Sequence, residues 1–374
     1  MKLLFACGGT AGHINPAIAV ANYMKENDPE TEILFAGNPN GMEARIVPNA
    51  GYDFAPIKVL GIQRRISMRN IKNNIKALWY LAGSSARAKE IINGFKPDIV
   101  IGTGGYVSGP VVRKAALMGY KTIAMESNAF PGMTTKLLAK YVDKILLDVE
   151  ESKKFLPAGK KYVVTGNPVR QEIFTEDRKA AREFYGIGER LCILSFGGSL
   201  GAQRLNEAVS DLMAWHLSEK DFVHIHGSGS YYGPSYYFDM LKEKGINAHE
   251  HDNLIIREYI NDMPRCLAAA DIVICRCGAM TLAELKAAGR ASVLIPSPNV
   301  AENHQYHNAM VLANHEAGVV IEEKDLTGEL LCKTVKELTE NPEKLKKLSE
   351  NAKALAVTDA NERIRKEIIS LYER

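Results

Sequence analysis

His13 is the side chain in this sequence best placed to move a proton. It closes the run Gly8-Gly9-Thr10-Ala11-Gly12-His13, directly after the apolar residues Leu3-Leu4-Phe5-Ala6-Cys7. A neutral imidazole at the tip of such a loop can take a proton from an attacking hydroxyl near neutral pH. A second run of the same kind, Gly197-Gly198-Ser199-Leu200-Gly201-Ala202, follows Cys192-Ile193-Leu194-Ser195-Phe196. Both read as strand-to-helix turns, where unpaired backbone N–H groups and the helix dipole favour an anion. They begin at residues 8 and 197 of 374, so the repeat divides the chain almost evenly. Two anion sites on two similar halves imply a cleft that handles phosphorylated molecules.

A third glycine-rich corner, Gly102-Thr103-Gly104-Gly105-Tyr106-Val107-Ser108-Gly109-Pro110, also follows an apolar run and opens a helix. The first half thus carries two phosphate-type cradles, and a diphosphate on an acceptor would use both. Gly104, Gly105, Tyr106 and Ser108 are its candidates there. Ser199, at a helix start, and Arg170 are candidates for a leaving phosphate. The first run lacks the GxGxxG spacing and has no acid suitably placed about twenty residues on to read a ribose, which argues against a dinucleotide. His224 with His226, His304 with His307, and Cys275 with Cys277 stand close enough in sequence to suggest metal, but no further ligand accompanies them at ligand spacing. No Asp-x-Asp occurs either. We therefore expect no metal and no cofactor, with helix dipoles and arginine neutralising the phosphates.

Short β-rich runs alternate with helix-period segments through both halves, the pattern of parallel sheets joined by right-handed crossovers. In the first half, strands are expected near 3–7, 32–36, 54–59, 98–102, 122–125, 144–147 and 162–165, with α1 expected over 15–27. The linking region runs from Gly166-Asn167-Pro168-Val169-Arg170 to about Ile187. This predicts domains at 1–165 and 166–358, with 359–374 a terminal helix packing back on the first. Two polar helices are expected to begin at Asn341-Pro342 and Asp359-Ala360-Asn361, both returning to the first domain. The length suits two cores, and 46% apolar with 24% charged residues is globular composition. Six cysteines without a CxxC pair read as reduced thiols of a cytosolic protein. The N-terminus lacks the pattern of a signal peptide, and no apolar stretch is long enough to span a membrane.

Between Phe54 and Lys89 stand eight basic residues (Lys58, Arg64, Arg65, Arg69, Lys72, Lys76, Arg87, Lys89) and no acidic one. Ile71, Ile75, Leu78, Trp79 and Ala82 recur at helical spacing beside them. The pattern suits a solvated helix with a core stripe. The missing acids and the Trp-Tyr pair favour contact with anionic lipid headgroups. Nucleic acid is not expected, because no recognition helix or aromatic-basic platform accompanies the patch.

GGTAGH, GTGGYVSGP, Glu126-Ser127-Asn128, GNPVR, GGSLGA, EYINDMP, ADIVICRCGAMTLAE and HQYHNA occur in the order that characterises the MurG family of glycosyltransferase family 28. The resemblance runs from residue 1 to the final helices. It implies a GT-B fold, two Rossmann-like α/β domains with parallel sheets facing across a cleft. It implies an inverting transfer of N-acetylglucosamine from UDP-N-acetylglucosamine to a lipid-linked muramyl-pentapeptide in peptidoglycan synthesis. The enzyme would sit peripherally on the cytoplasmic face of the bacterial membrane. By resemblance, His13 is the base and Thr10, Ala11 and Gly12 touch the donor or the acceptor hydroxyl. Asn128 and Arg170 lie near sugar and diphosphate, and Ser199 on the diphosphate. The Ile260 backbone reads uracil, and Ala279, Met280 and Thr281 surround the diphosphate. Glu284 takes the ribose hydroxyls, and Gln305 holds the N-acetylglucosamine. Ala11, Met125, Ser127, Leu200, Cys277 and His304 depart from the family's usual residues. The rival readings are a transferase acting on another lipid, a UDP-N-acetylglucosamine 2-epimerase of similar fold, and a non-catalytic UDP-sugar sensor.

Overall fold

A computed structural model of the chain describes residues 1–59, 83–233 and 235–374. The basic residues Arg64, Arg65, Arg69, Lys72 and Lys76, with the apolar positions 71–82 between and after them, lie outside the described residues. The chain divides into two compact units, Met1–Val169 with Asp359–Arg374, and Arg170–Thr358.

The first unit runs β1 (Lys2–Ala6), α1 (Ala11–Asn27), β2 (Glu32–Gly37), α2 (Glu43–Asn49) and β3 (Asp53–Pro56). A helix described over 83–95 (α3) follows. Then come β4 (Ile99–Gly102), α4 (Gly105–Leu117), β5 (Lys121–Glu126), α5 (Met133–Leu138), β6 (Lys144–Leu147) and β7 (Tyr162–Val164). The strands form one parallel sheet in the order β3-β2-β1-β4-β5-β6-β7. β1 therefore lies between β2 and β4, with Ala6 level with Ala36 on one side and Gly102 on the other. The strand order reverses at β1 and β4, and ligands of such sheets bind beyond the strand ends at that reversal. The first and third glycine corners leave the sheet from those two strands.

The second unit repeats the plan: α6 (Glu172–Thr175), α7 (Arg178–Phe184), β8 (Cys192–Phe196), α8 (Gln203–Glu219), β9 (Val223–Gly227), α9 (Tyr236–Glu243), β10 (Leu254–Arg257) and α10 (Met263–Ala269). It continues with β11 (Ile272–Cys275), α11 (Ala279–Ala288), β12 (Ala291–Leu294), α12 (His304–Asn314), β13 (Val319–Val320), α13 (Gly328–Thr339) and α14 (Pro342–Ala354). The parallel order is β10-β9-β8-β11-β12-β13, so the reversal falls at β8 and β11. The expected link at 166–187 is mostly structured. Asp177 caps α7 by accepting from the Ala180 N–H at 2.8 Å. Arg178 and Arg182 of α7 grip Asp271 and the carbonyls that end α10.

Both faces of the first sheet are covered. Val107, Val111 and Val112 of α4 pack on one face with Leu4, Ala6 and Val100. Ile14, Ala17 and Ala21 of α1 pack on the other with Leu3 and Phe5. That second layer is completed by the last helix, α15 (Ala360–Tyr372), through Ile364, Ile368 and Leu371. Burying each such side chain contributes about 1.5–3 kcal/mol. The α15 backbone is also held by the buried Lys144 ammonium, which donates to the Glu367 carbonyl at 2.8 Å and pairs with its carboxylate at 2.7 Å. By contrast α14 packs within the second unit, against α11 and β12. The expectation that both terminal helices return to the first domain is corrected there. α14 buries Leu348 and Ala352, and Leu348 belongs to the second core.

Candidate active site

In the first unit, β1 delivers Gly8 and Gly9 to the switch point, and Thr10, in extended conformation, precedes α1. The helix begins at Ala11, four residues before its expected start. His13 therefore stands on the first turn of α1 rather than at a loop tip. Gly12 and Pro16 suggest a later start; Gly12 sits in the first turn, and Pro16 lies inside the helix, where it leaves out one backbone donor. The His13 Nδ1 lies 3.2 Å from the Gly8 carbonyl oxygen and 3.2 Å from Thr10 Oγ1. A carbonyl only accepts, so this contact is a hydrogen bond when Nδ1 carries the proton. The neutral ring then has its lone pair on Nε2.

The third glycine corner is stitched to the first. Thr103 Oγ1 donates to the His13 carbonyl at 2.7 Å. Gly104 (φ +107°) runs so close to the imidazole that a Cβ there would sit 2.5 Å from Cδ2 and 2.9 Å from Nε2. A Cβ on Gly105 would overlap the Gly8 carbonyl oxygen. These glycines permit an approach no other residue allows. Ser108 is fully buried, and its hydroxyl lies 2.6 Å from the Ala6 carbonyl and accepts from the Gly104 N–H at 3.1 Å. Ser108 thus braces the corner against β1, while Tyr106 is exposed. Thr10, Ala11, Gly12, His13, Gly104 and Gly105 form one surface.

Asn128 follows β5, the strand beside β4. The buried Glu126 carboxylate accepts from the Asn128 backbone and side-chain N–H groups, both at 3.0 Å. It also accepts from the Gly132 N–H at 2.9 Å and the Thr135 hydroxyl at 2.6 Å. Asn167 ties the same loop by donating to the Ser127 carbonyl at 3.0 Å.

In the second unit the glycine turn follows β8. Gly198 (φ +93°) and Gly201 (φ +83°) both need the left-handed region, and a Cβ on Gly201 would strike the Ser228 carbonyl oxygen. These turns postpone the helix to Gln203. Ser199 is consequently an exposed turn residue, not the helix start expected for it. A cavity of about 510 Å³ opens here, lined by Gly197, Gly198, Gly201, Gly278, Thr281 and Gln305 among others. The N-terminus of α11 faces this region through Gly278 and Thr281, with Ala279 and Met280 part-exposed beside them. Its orphan N–H groups suit an anion. The Gln305 side-chain oxygen accepts from the Ser297 and Cys277 N–H groups at 2.9 and 3.2 Å. Arg276 and Glu323, both lining the cavity, are ion-paired.

Arg170 and Glu284, expected at diphosphate and ribose, are paired with each other. The guanidinium Nε and Nη2 donate to Glu284 Oε1 at 3.1 and 2.8 Å. Burial raises the Glu284 carboxyl above its ordinary range, and Arg170 opposes that shift. Ile260 is buried, and a Cβ on Gly227 at the end of β9 would lie 3.1 Å from its Cδ1. Its loop is anchored at Asp262, which accepts from Arg257 and from the Tyr185 hydroxyl, each at 2.6 Å.

His224 and His226 are core residues. Ser195 Oγ lies 2.8 Å from His224 Nε2 and 2.7 Å from His226 Nδ1, all fully buried. Among the described residues no three metal-ligating side chains converge. Sequence reasoning missed Glu43, Glu126 and Asp262, three carboxylates that accept from the backbone or side chains around the candidate residues. Glu126 and Asp262 fall inside the family motifs without a role being read for them, and Glu43 shows only as an acid among apolar residues.

Two parallel α/β units, each with a glycine turn at its switch point, make up the GT-B fold. The chain belongs to glycosyltransferase family 28: the family's N-terminal domain matches residues 3–147 and its C-terminal domain residues 192–364. It is 42% identical over 365 residues to the UDP-N-acetylglucosamine--N-acetylmuramyl-(pentapeptide) pyrophosphoryl-undecaprenol N-acetylglucosamine transferase of Acetivibrio thermocellus, covering 97% of this chain and 96% of that one. A transferase of the same name from Thermoanaerobacter sp. is 42% identical over 99% of this chain and 100% of its own. The crystal structure of Acinetobacter baumannii MurG superposes with a TM-score of 0.78 at 26% identity, covering 99% of each chain. A UDP-GlcNAc 2-epimerase from Neisseria meningitidis bound to UDP-GlcNAc shares the fold at 13% identity, with a TM-score of 0.67 over 99% of this chain and 100% of that one. Among the described residues no helix is long and apolar enough to cross a membrane.

Proposed function

We propose that this protein transfers N-acetylglucosamine from UDP-N-acetylglucosamine to the C4 hydroxyl of undecaprenyl-diphospho-N-acetylmuramoyl-pentapeptide, with inversion, in peptidoglycan synthesis. The observation that carries this reading is the near-full-length 42% identity to a transferase of that name. The meeting of two glycine corners at His13 supplies a matching site. The C4 oxygen attacks the anomeric carbon, the bond from that carbon to the diphosphate breaks, His13 Nε2 takes the hydroxyl proton, and UDP departs. Thr10, Ala11 and Gly12 flank the reacting hydroxyl. Gly104, Gly105 and Tyr106 receive the acceptor diphosphate on a corner braced by Ser108, and Asn128 lies toward the sugar.

The first unit takes the acceptor and the second the donor. Ser199 and the α11 start (Ala279, Met280, Thr281) neutralise the departing diphosphate, where negative charge grows in the transition state. Arg170 contributes its charge there while Glu284 accepts the ribose hydroxyls. The Ile260 backbone reads uracil. Gln305 presents its amide nitrogen to the sugar, since its oxygen already accepts two backbone N–H groups. The basic, acid-free stretch at 64–82 holds the enzyme on anionic lipid at the cytoplasmic face of the membrane, where a polyprenyl substrate resides. The test is transfer of labelled sugar from UDP-N-acetylglucosamine to a synthetic short-chain acceptor. Acceptor-dependent release of UDP is expected. Epimerised UDP-sugar without transfer would replace this reading by the epimerase one.

A further inference from the structure

Glu43 is the least explained charge in the first unit. It starts α2, is 1% exposed, and both its oxygens accept backbone hydrogen bonds. Oε1 takes the Asn38 N–H at 2.9 Å and Oε2 takes the Gly9 N–H at 3.2 Å. Gly8, Gly37 and Gly41 close around it so tightly that a Cβ on any of them would overlap the Glu43 side chain. A buried carboxylate is costly unless its hydrogen bonds are specific, and these bonds end on the turn that carries His13.

The Gly9 N–H and the Gly8 C=O belong to one peptide group. Its N–H end donates to Glu43, and its C=O end lies 3.2 Å from His13 Nδ1. We propose that Glu43 is a positioning residue for His13, acting through the Gly8–Gly9 peptide as a carboxylate–peptide–imidazole relay. A carboxylate on the N–H end polarises the peptide and strengthens its carbonyl as an acceptor, as hydrogen bonds in series do. The stronger acceptor holds the proton on Nδ1, directs the Nε2 lone pair outward, and stabilises the imidazolium formed when Nε2 takes the substrate proton. Thr10 Oγ1, at the same distance from Nδ1, shares this bond as the second acceptor of a bifurcated pair. Glu43 touches neither substrate nor the imidazole itself. The inference rests on His13 being the base.

The experiment is ¹⁵N NMR of histidine-labelled full-length protein, with the His13 signals assigned by their loss in His13→Ala. The wild type is expected to hold His13 as the Nδ1–H tautomer. In Glu43→Gln a carboxamide NH₂ must face one of the two backbone donors, so the relay is broken and the Nε2–H tautomer should rise. Its kcat should fall at least about tenfold while the KM for UDP-N-acetylglucosamine changes less than about twofold. Glu43→Asp, which keeps the carboxylate, should recover part of that loss. A wild-type Nε2–H tautomer would overturn the relay without recourse to any variant, so misfolding of Glu43→Gln leaves the test intact. So would a Glu43→Gln protein with unchanged tautomer and kcat. Full turnover in His13→Ala would instead remove the base reading, leaving the tautomer result to judge the relay separately.

Discussion

The two glycine turns share a backbone plan and differ in what lies around them. The first has a buried carboxylate, Glu43, under its peptide and an imidazole on its helix. The second has no such acid hydrogen-bonded to its glycines among the described residues; of the charges lining the cavity beside it, Arg276 is paired with Glu323 and Arg204 supplies the excess positive charge. Each turn is pressed against another glycine corner, Gly105 against Gly8 and Gly201 against Gly229. Backbone geometry is thus held constant while the electrostatics are reversed. A negative charge below the first turn suits a group that becomes cationic, and positive charge beside the second suits a departing anion. A repeated motif is therefore a repeated shape, and its chemistry is set by the side chains that the rest of each unit sends beneath it.

The strongest challenge to that contrast is His13→Ala. It should lower kcat on the order of 10²–10⁴-fold with donor affinity nearly unchanged. A mutant with wild-type turnover would erase the functional difference between the turns.

The histidines sharpen the contrast next. The first unit contains His13 alone of the nine, and the second buries His216, His224 and His226 in a chain with Ser195. Burial lowers His216 to about 4 and His226 to about 3, and holds His224 well below its ordinary value. Depressed folded values mean that stability is complete above about pH 6.5 and is lost as pH falls toward those values. Between pH 6.5 and 5 the loss is on the order of 1–2 kcal/mol for each of His216 and His226, and His224 adds to it in the same direction. Denaturant unfolding followed by Trp215 fluorescence in a Trp79→Phe background should show it, and His216→Gln should flatten the slope. Equal stability at pH 7 and pH 5 would contradict the burial argument.

Donor binding provides a smaller effect. Glu284→Ala removes the carboxylate paired with Arg170 and should weaken UDP-N-acetylglucosamine at least about tenfold, within the 1.5–3 kcal/mol range of charge-assisted bonds. Calorimetric titration with the donor measures this, and an unchanged affinity would take Glu284 out of the ribose site. The smallest effect tests shape alone. Gly9 (φ +87°) and Gly198 (φ +93°) have open space where a Cβ would go. Gly9→Ala and Gly198→Ala should each cost only about 1–2 kcal/mol for the left-handed backbone, and nearly equally. Gly105→Ala and Gly201→Ala should cost more, since each collides with a carbonyl oxygen. Unequal costs for Gly9 and Gly198 in unfolding experiments would show that the two turns are not equivalent in shape.

Much of this architecture was legible in the sequence. Apolar runs ending in glycine located β1, β4 and β8, because a strand buried on both faces leaves little room for polar residues. Boundaries failed where tertiary packing overrode local signals. α1, expected from residue 15, begins at Ala11, and Ile14 already packs against the sheet. Ser199 reads as a helix start because the sequence does not reveal that Gly201 turns left-handed after it. His224 and His226 alternate as strand neighbours should, yet only the fold brings Ser195 between them. Glu43 was invisible as a site residue: its bond to Gly9 spans 34 positions, and nothing in Glu43-Ala44-Arg45-Ile46-Val47 tells which way the acid faces.

The return of α15 to the first sheet has a consequence for how the protein is made. Residues 1–169 leave the ribosome without Ile364, Ile368 and Leu371, and Lys144 emerges more than two hundred residues before Glu367. The second unit is continuous in sequence and closes its core without α15, whereas the first cannot close until that helix is available. In the growing polypeptide the N-terminal unit is therefore the last to be finished. A chain cut before Ala360 should keep a folded second unit and leave the first open to proteases.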